Sequence, residues 1–523
     1  MPRTSFLAPL ADSRLVRRAA DAGFVRYAHA RAAYLDRVDA GRLQRATLMS
    51  LVRRARDTRF GRDHDFGRIT SVADFQARVP VRGYEFFWDT YWKPTFPRLD
   101  DVTWPGRLPY YALSSGTTSG ATKYVPVSRE MLASNRKAAR TTAALFRHSR
   151  PEARTLTGKI FFLGGTTDLR PLSDGSRAGD LSGIAFREVT DVVRPYVFPP
   201  PPLAALTDWD EKLTRAAALS VRERITTVSG VPAWLLTLFD RVKEATGAST
   251  VAEAWPALRL VVHGGTSFDP YRALFRREIG DDRVSFCEVY ACSEGFVAAE
   301  DPRHGLLRVV PDHDVFFEFV PVDQLAQPYP ERHTLATVEP GVPYAVVLTT
   351  CAGLWAYLLG DTVAFESRNP PLLRFTGRTK FFLSAFGEHL IQEEVERAVA
   401  AAARAAAADV PEYHVGPEFP PDPRTPGRHL YLVEFAGAAA DAARFAADID
   451  AELSRLNEDY AAHRAGDLTM RVPRVAAVRR GGFAAWMKSR GAFGGQHKVP
   501  RMDNTGARTA ELAEWFAREG WLL

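Results

Sequence analysis

The spacing of apolar and polar positions changes several times along the chain. Between residues 12 and 38 the apolar positions Val16, Ala20, Phe24, Tyr27, Ala30, Tyr34 and Val38 recur at steps of three and four, with arginines between them. That spacing predicts an amphipathic helix with one packing face. Short apolar runs follow at 159–163, 235–239, 258–262, 284–289 and 344–348, separated by stretches with helical spacing. Such alternation predicts an α/β fold with β-sheets flanked by helices. Residues 305–365 are richer in strand-like runs and are expected to form a small β subdomain. Four consecutive prolines at 199–202 cannot enter a central strand and predict a surface loop.

Beyond Arg378 the pattern shifts. Alanine-rich helical spacing at 388–408 and 438–462 alternates with strand-like stretches at 429–435 and 470–478, which predicts a small α+β lid domain. The boundary falls at 378–380, giving an N-terminal domain of residues 1–378 and a C-terminal domain of 379–523. Length agrees with this division: 523 residues exceed the size, roughly 250–300 residues, at which a single core stops growing.

Composition narrows the class. Hydrophobic residues make up 46% and charged residues 25%, a globular balance rather than a disordered one. The 68 Lys+Arg are interleaved with 62 Asp+Glu and form no polybasic tract, which argues against nucleic-acid binding. The net charge of +6 still favours anionic ligands such as nucleotides. Cys287, Cys292 and Cys351 have neither metal-ligand spacing nor an even disulfide framework, so a reducing, cytoplasmic setting is expected. The apolar stretch near Met1 is too short for a signal-peptide core, and no run of about 18 apolar residues predicts a membrane span.

Six motifs carry candidate chemistry. YALSSGTTSGATK at 111–123 sets Ser114, Ser115, Gly116, Thr117, Thr118, Ser119 and Gly120 ahead of Lys123. Backbone N–H groups, hydroxyls and one cation suit a polyphosphate, especially in a strand–loop–helix order; a flexible turn is the alternative. HGGT at 263–266 ends an apolar run, and ligands of open α/β sheets bind beyond strand carboxyl ends, which makes Gly264, Gly265 and Thr266 candidates. His263 itself reads as a packed histidine. YACSEG at 290–295 also ends a strand-like run. There Tyr290 can stack on a base, Ser293 donate to phosphate and Glu294 hold magnesium, or the residues can be a core tyrosine and a loop acid. In GLWAYLLGD at 353–361, Asp361 suits ribose hydroxyls, or Gly360-Asp361 is a hairpin turn. FTGRTK at 375–380 lies where composition changes and suggests a hinge. GGQHKVPR at 494–501 offers Lys498 in a glycine-flanked loop suited to stabilising a reacting phosphate.

Taken in order, these motifs resemble those of the adenylate-forming superfamily. Within it the chain looks most like the Gretchen Hagen family of acyl-acid amido synthetases, particularly its bacterial members. GVPAW at 230–234, YACSEG at 290–295, VFFEFV at 315–320, GLWAY at 353–357 with Gly360-Asp361, and QHKVPR at 496–501 carry the likeness. The resemblance implies ATP and Mg2+ as cofactors and a carboxylic acid and an amine or amino acid as substrates. It implies an acyl-AMP intermediate and a ligase that forms a carbon–nitrogen bond. By the same resemblance the 114–123 loop holds phosphate, Tyr290 lies near adenine, Glu294 binds magnesium, and Asp361 and Arg378 hold ribose. Lys498 promotes adenylation, and Thr379 and Lys380 form the pivot of a mobile C-terminal domain. An acyl-CoA ligase sharing the adenylation step and a non-catalytic nucleotide-binding protein are the alternatives. The chain departs from the family in having Ala356 where an arginine is frequent.

Overall fold

The computed structural model describes residues 13–115, 122–265, 268, 271–325, 327–379, 382–383, 385–386, 388, 390–420, 426–457, 460–461, 464, 470–491 and 499–523. Met1–Gly265 with Ile279–Arg374 form one compact unit, and Thr266–Glu278 with Phe375–Leu523 form a second. Among the described residues, no helix is long and apolar enough to cross a membrane.

The first unit begins with helix α1, Arg14–Arg37, capped where the Ser13 side chain accepts from the Val16 N–H. The predicted helix is present, but its buried face is not the predicted stripe: Val16 and Tyr34 are exposed, whereas Arg17, Asp21 and Arg31 are buried. Those polar groups are buried because each finds a partner. The Arg31 guanidinium donates to both Asp312 carboxylate oxygens at 2.7 and 2.6 Å. Arg147 donates to Asp21 at 2.9 Å, and Arg17 to the Gly158 and Pro195 carbonyls. Periodicity marks the element, while burial here follows pairing. Helix α2, Ala40–Ala55, follows.

The main sheet has eleven strands. Its parallel half comprises β3 (Lys159–Phe162), β6 (Val197–Phe198), β7 (Ile225–Gly230), β8 (Leu260–Gly264) and β9 (Ser285–Ala291). The other half comprises β10 (Phe296–Asp301), β11 (Leu306–Val309), β12 (Val315–Pro321), β13 (Pro343–Thr350), β14 (Tyr357–Ser367) and β15 (Leu372–Arg378). The spatial order is β12-β13-β14-β15-β11-β10-β9-β8-β7-β3-β6. The strand-rich stretch 305–365 therefore extends the main sheet edge to edge rather than forming a sheet of its own. A smaller sheet, ordered β2-β1-β5-β4, joins β1 (Tyr110–Ser115), β2 (Thr122–Val127), β4 (Arg170–Pro171) and β5 (Arg177–Gly179). Helices α3 (Arg129–Ser149), α4 (Trp209–Ser220) and α5 (Pro232–Thr246) belong to the same unit.

Two local expectations are corrected. The apolar run 235–239 lies in α5, and the strand before it is β7. Pro232 begins the helix, and Leu235, Leu238, Phe239 and Val242 are fully buried at helical spacing. The proline run is partly helical: Pro201–Ala204 forms one turn, and Pro199 is buried after β6.

In the second unit, β18 (Glu412–Glu418), β19 (Arg428–Glu434) and β20 (Arg474–Val478) form a three-stranded sheet. It accompanies α7 (Gln392–Ala405), α8 (Ala442–Leu456), α9 (Gly482–Ser489) and α10 (Ala507–Arg518); α6, Arg272–Ile279, lies largely in this unit. Helix α7 starts later than its alanine pattern suggests because β17 (Leu390–Ile391) first pairs with β16 (Phe382–Leu383). Ile391 N–H then donates to the Glu394 carboxylate at 2.9 Å. Arg501 is buried in this unit, donating to Tyr271 Oη at 2.9 Å and to Glu396 and Glu412 at 3.2 Å each.

Candidate active site

The first motif is a β-hairpin. Ser114 pairs with Lys123 and Ser115 with Thr122, so the order is strand, loop, strand, then helix α3, correcting the expected strand–loop–helix. The strand Thr122–Val127 opens on polar Thr122 and Lys123 and carries Pro126, so its apolar run is too short to mark it. Gly116, Thr117, Thr118, Ser119 and Gly120 lie outside the described residues. Lys123 Nζ sits 5.0 Å from the centroid of the Tyr84 ring, a cation–π contact. Tyr84 Oη accepts from Tyr124 N–H at 2.8 Å, and burial pushes its phenol up to about 12. Nothing in the sequence pairs Tyr84 with the loop 39 residues later, so this partner was missed.

Glycines line the carboxyl ends of the neighbouring parallel strands β3, β7 and β8. Gly164 follows β3, Gly230 ends β7 and Gly264 ends β8. At Gly264 a Cβ would lie 2.3 Å from the Val289 carbonyl oxygen of β9, so only glycine lets the strands pair. Gly265 follows at φ +82°, in the left-handed region. Thr266 lies outside the described residues. Beyond β3, Lys212 of α4 donates to the Gly164 and Gly165 carbonyls at 2.9 Å each, and burial lowers its ammonium to about 8. A single lysine in an amphipathic helix gave no sequence signal for this role.

Strand β9 turns into β10 through the YACSEG motif. Cys292 N–H donates to Gly295 O at 3.0 Å and Gly295 N–H returns to Cys292 O at 3.3 Å. Ser293 and Glu294 are therefore the two residues at the apex of a tight hairpin. Cys292 Sγ donates to Gly295 O at 3.1 Å, and burial followed by the nearby Glu294 charge holds its thiol well above the ordinary range. It is not a ready nucleophile.

Strand β14 supplies the groups that meet this hairpin. Tyr290 Oη donates to Asp361 Oδ2 at 2.9 Å, and Tyr357 Oη donates to Glu294 Oε1 at 3.2 Å. All four side chains are less than 10% exposed. Burial, then Glu294, drives the Tyr357 phenol far up, which keeps it a hydrogen-bond donor. The structure thus brings Tyr290, Ser293, Glu294 and Asp361 together and adds Tyr357, which the sequence placed in a motif without a role.

Asp361 lies within β14 rather than in a hairpin turn. The β13–β14 register shifts between Ala345 paired with Thr362 and Val347 paired with Leu358, and Gly360 inside that bulge has φ +88°. A bulge re-aims a strand side chain, which is how a carboxylate is presented from mid-strand. Ala356, the family's frequent arginine position, is fully buried at φ +43° and receives the Arg82 N–H on its carbonyl. Trp355 is core, donating from Nε1 to Thr103 O at 2.9 Å. Arg378 ends β15 and Thr379 follows it, whereas Lys380 and Lys498 lie outside the described residues. Gly377, at φ +134°, packs so closely on Gln392 that a Cβ would sit 2.7 Å from its Cβ.

The mixed sheet flanked by helices matches the adenylate-forming fold. Two solved structures share it. An acyl acid amido synthetase, AtGH3.15 in complex with 2,4-DB, superposes with a TM-score of 0.77 at 16% identity, covering 100% of this chain and 98% of that one. A 2-hydroxyisobutyryl-CoA ligase in its postadenylation state with 2-HIB-AMP superposes with a TM-score of 0.57 at 14% identity, covering 90% and 91%. The chain belongs to the GH3 family: models of its N-terminal, central and C-terminal domains match residues 34–209, 308–378 and 393–507. In sequence it is similar to the indole-3-acetic acid-amido synthetase GH3.8 of Oryza sativa subsp. indica, 31% identical over 41% of this chain and 38% of that protein. The matched stretch thus spans under two-fifths of that relative.

Proposed function

We propose that the protein is an ATP-dependent acyl-acid amido synthetase. The carboxylate of an acid attacks the α-phosphorus of ATP and pyrophosphate leaves; an amine or amino acid then attacks the acyl carbon and AMP leaves, forming an amide. The observation that carries this reading is the meeting of Tyr290 with Asp361, and of Glu294 with Tyr357, at a glycine-lined strand edge in a GH3-family chain. A buried carboxylate fixed by a phenol is suited to accept ribose hydroxyls, and we assign Asp361 that part, with Arg378 assisting. Tyr290 presents its ring for adenine while its hydroxyl holds Asp361. Ser293, the 114–120 loop, Gly264, Gly265 and Thr266 are assigned to the nucleotide, and Lys123 to the phosphates.

Glu294 is the carboxylate assigned to Mg2+. Magnesium commonly takes one or two protein carboxylates and completes its shell with phosphate oxygens and water. A single acid fits that habit; among the described residues no group of three or more His, Cys, Asp and Glu forms a self-sufficient cage. Bound there, the ion supplies charge stabilisation to the polyphosphate. We further assign residues 379–523 to a mobile domain pivoting at Thr379 and Lys380 and carrying Lys498, whose charge promotes adenylation. The free thiols Cys287, Cys292 and Cys351 suit a reducing, cytoplasmic setting.

The amine is favoured over a thiol as second nucleophile because the rice relative and the AtGH3.15 structure are named amido synthetases. The test is to incubate the protein with Mg·ATP, a panel of carboxylic acids and hydroxylamine, then to replace hydroxylamine with amino acids or CoA. Hydroxamate and amino-acid amide are the expected products. Thioester with CoA and no amide would make it an acyl-CoA ligase; neither pyrophosphate nor AMP with any acid would leave a nucleotide-binding protein without this chemistry.

A further inference from the structure

The root of the β1–β2 hairpin, at the opposite end from its loop, borders a separate cavity of about 490 Å³. Its wall includes Trp104, Tyr110, Arg107, Arg129, Glu130 and Arg177. Tyr110 pairs with Val127 at one end of the hairpin and Ser115 with Thr122 at the other. Five residues of strand separate the two ends by roughly 16 Å at about 3.3 Å per residue. The cavity is therefore distinct from the candidate active site.

Its charge is unbalanced. Glu130 is paired with Arg54, and Asp174 lies 3.7 Å from Arg107. Arg129 and Arg177 make no ion pair and no side-chain hydrogen bond among the described residues. Helix α3 starts at this wall. Its cap Ser128 accepts from Met131 N–H, and neither Arg129 N–H nor Glu130 N–H has an acceptor among the described residues. Trp104, 1% exposed, also lines the cavity, and its indole N–H has no acceptor among the described residues. Two unpaired guanidinium groups, open helix N–H groups and an unsatisfied buried indole N–H all lack an acceptor. The ring of Tyr110 and the rings of Pro105 and Pro109 give the same space apolar walls.

We propose that this cavity binds a small organic dianion, a phosphate monoester on a compact planar body. Guanidinium groups pair with phosphate through parallel N–H donors, and a helix start adds donors and a favourable dipole. The flat body packs on the Tyr110 side of the wall, beside Pro105 and Pro109. A ligand there would sit on the hairpin that carries the Ser114 and Lys123 motif, without touching it.

The test is isothermal titration with phenyl phosphate at pH 8, with inorganic phosphate and phenol as separate arms for the charge and the body alone. Phenyl phosphate is expected to bind at least tenfold more tightly than either. The double variant R129A/R177A, altered at two side chains outside the buried core, is expected to weaken it at least tenfold while acid-dependent pyrophosphate exchange is unchanged. Dissociation constants above 10 mM in the parent protein, or equal affinity in the double variant, would overturn the proposal. Tight binding of inorganic phosphate alone would overturn the planar-body part.

Discussion

Replacing Tyr290 by Phe removes one hydroxyl and keeps the ring. In the structure that hydroxyl donates to Asp361 at 2.9 Å, with Tyr290 8% and Asp361 5% exposed. A hydrogen bond to a charged group contributes about 1.5–3 kcal/mol, and about 1.4 kcal/mol is a factor of ten in an equilibrium constant. If Asp361 holds ribose, it must be oriented before the nucleotide arrives, so part of that energy appears as nucleotide affinity. The expected result is an ATP KM raised about tenfold in acid-dependent pyrophosphate exchange, with kcat changed by less than threefold and the KM for the acid unchanged. Urea unfolding should show a loss of roughly 1–3 kcal/mol. An ATP KM within twofold of the parent, together with an increased KM for the acid, would place the Tyr290–Asp361 pair at the acyl end of the site and refute the assignment.

Lys498→Ala is expected to lower acid-dependent ATP–pyrophosphate exchange by about 100-fold or more without a change in melting temperature; unchanged exchange would remove Lys498 from the adenylation step. Gly264→Ala drives a methyl to within 2.3 Å of a backbone oxygen of β9, and the expected cost is at least about 2 kcal/mol in unfolding by urea. Glu434 accepts from the Gly481 and Phe483 N–H groups, yet burial raises its carboxyl from 4.5 to about 7. Between these values the folded chain holds more protons than the unfolded chain, so stability is full below pH 4.5 and is lost as pH rises through 7. At about 1.4 kcal/mol per pH unit the loss is of order 3–4 kcal/mol, so Glu434→Gln is expected to be the more stable form at pH 8 and to lose that advantage at pH 4. Parallel unfolding curves at both pH values check this.

The fold class was legible because apolar runs alternate with helical spacing and one of them ends in glycine at a strand end, Gly264. What the pattern missed has physical causes. The buried face of α1 combines Ala28, Ala32 and Leu35 with Arg17, Asp21 and Arg31, which no hydrophobic periodicity reports and which become buried only through partners more than 100 residues away. The run 235–239 has the composition of a strand, and Pro232 with the helical spacing of Leu235, Leu238 and Val242 was the overlooked sign. Asp361 was readable as a ribose carboxylate or a turn; only the β13–β14 register shows the bulge that settles its place in a strand. Tyr357 ends the stretch GLWAY at 353–357, but its bond to Glu294 joins positions 63 residues apart. Lys123's aromatic partner, Tyr84, likewise depends on folding alone.

The central claim is that one acid and one amine are joined at the expense of ATP cleaved between its α- and β-phosphates. The direct measurement is the stoichiometry of a single reaction with an accepted acid and amino acid, with nucleotides and pyrophosphate quantified beside the conjugate. The account predicts one amide, one AMP and one pyrophosphate per turnover, and an acyl hydroxamate when hydroxylamine replaces the amino acid. Amide formed with ADP and inorganic phosphate would mean an acyl phosphate rather than an acyl adenylate, and would contradict it.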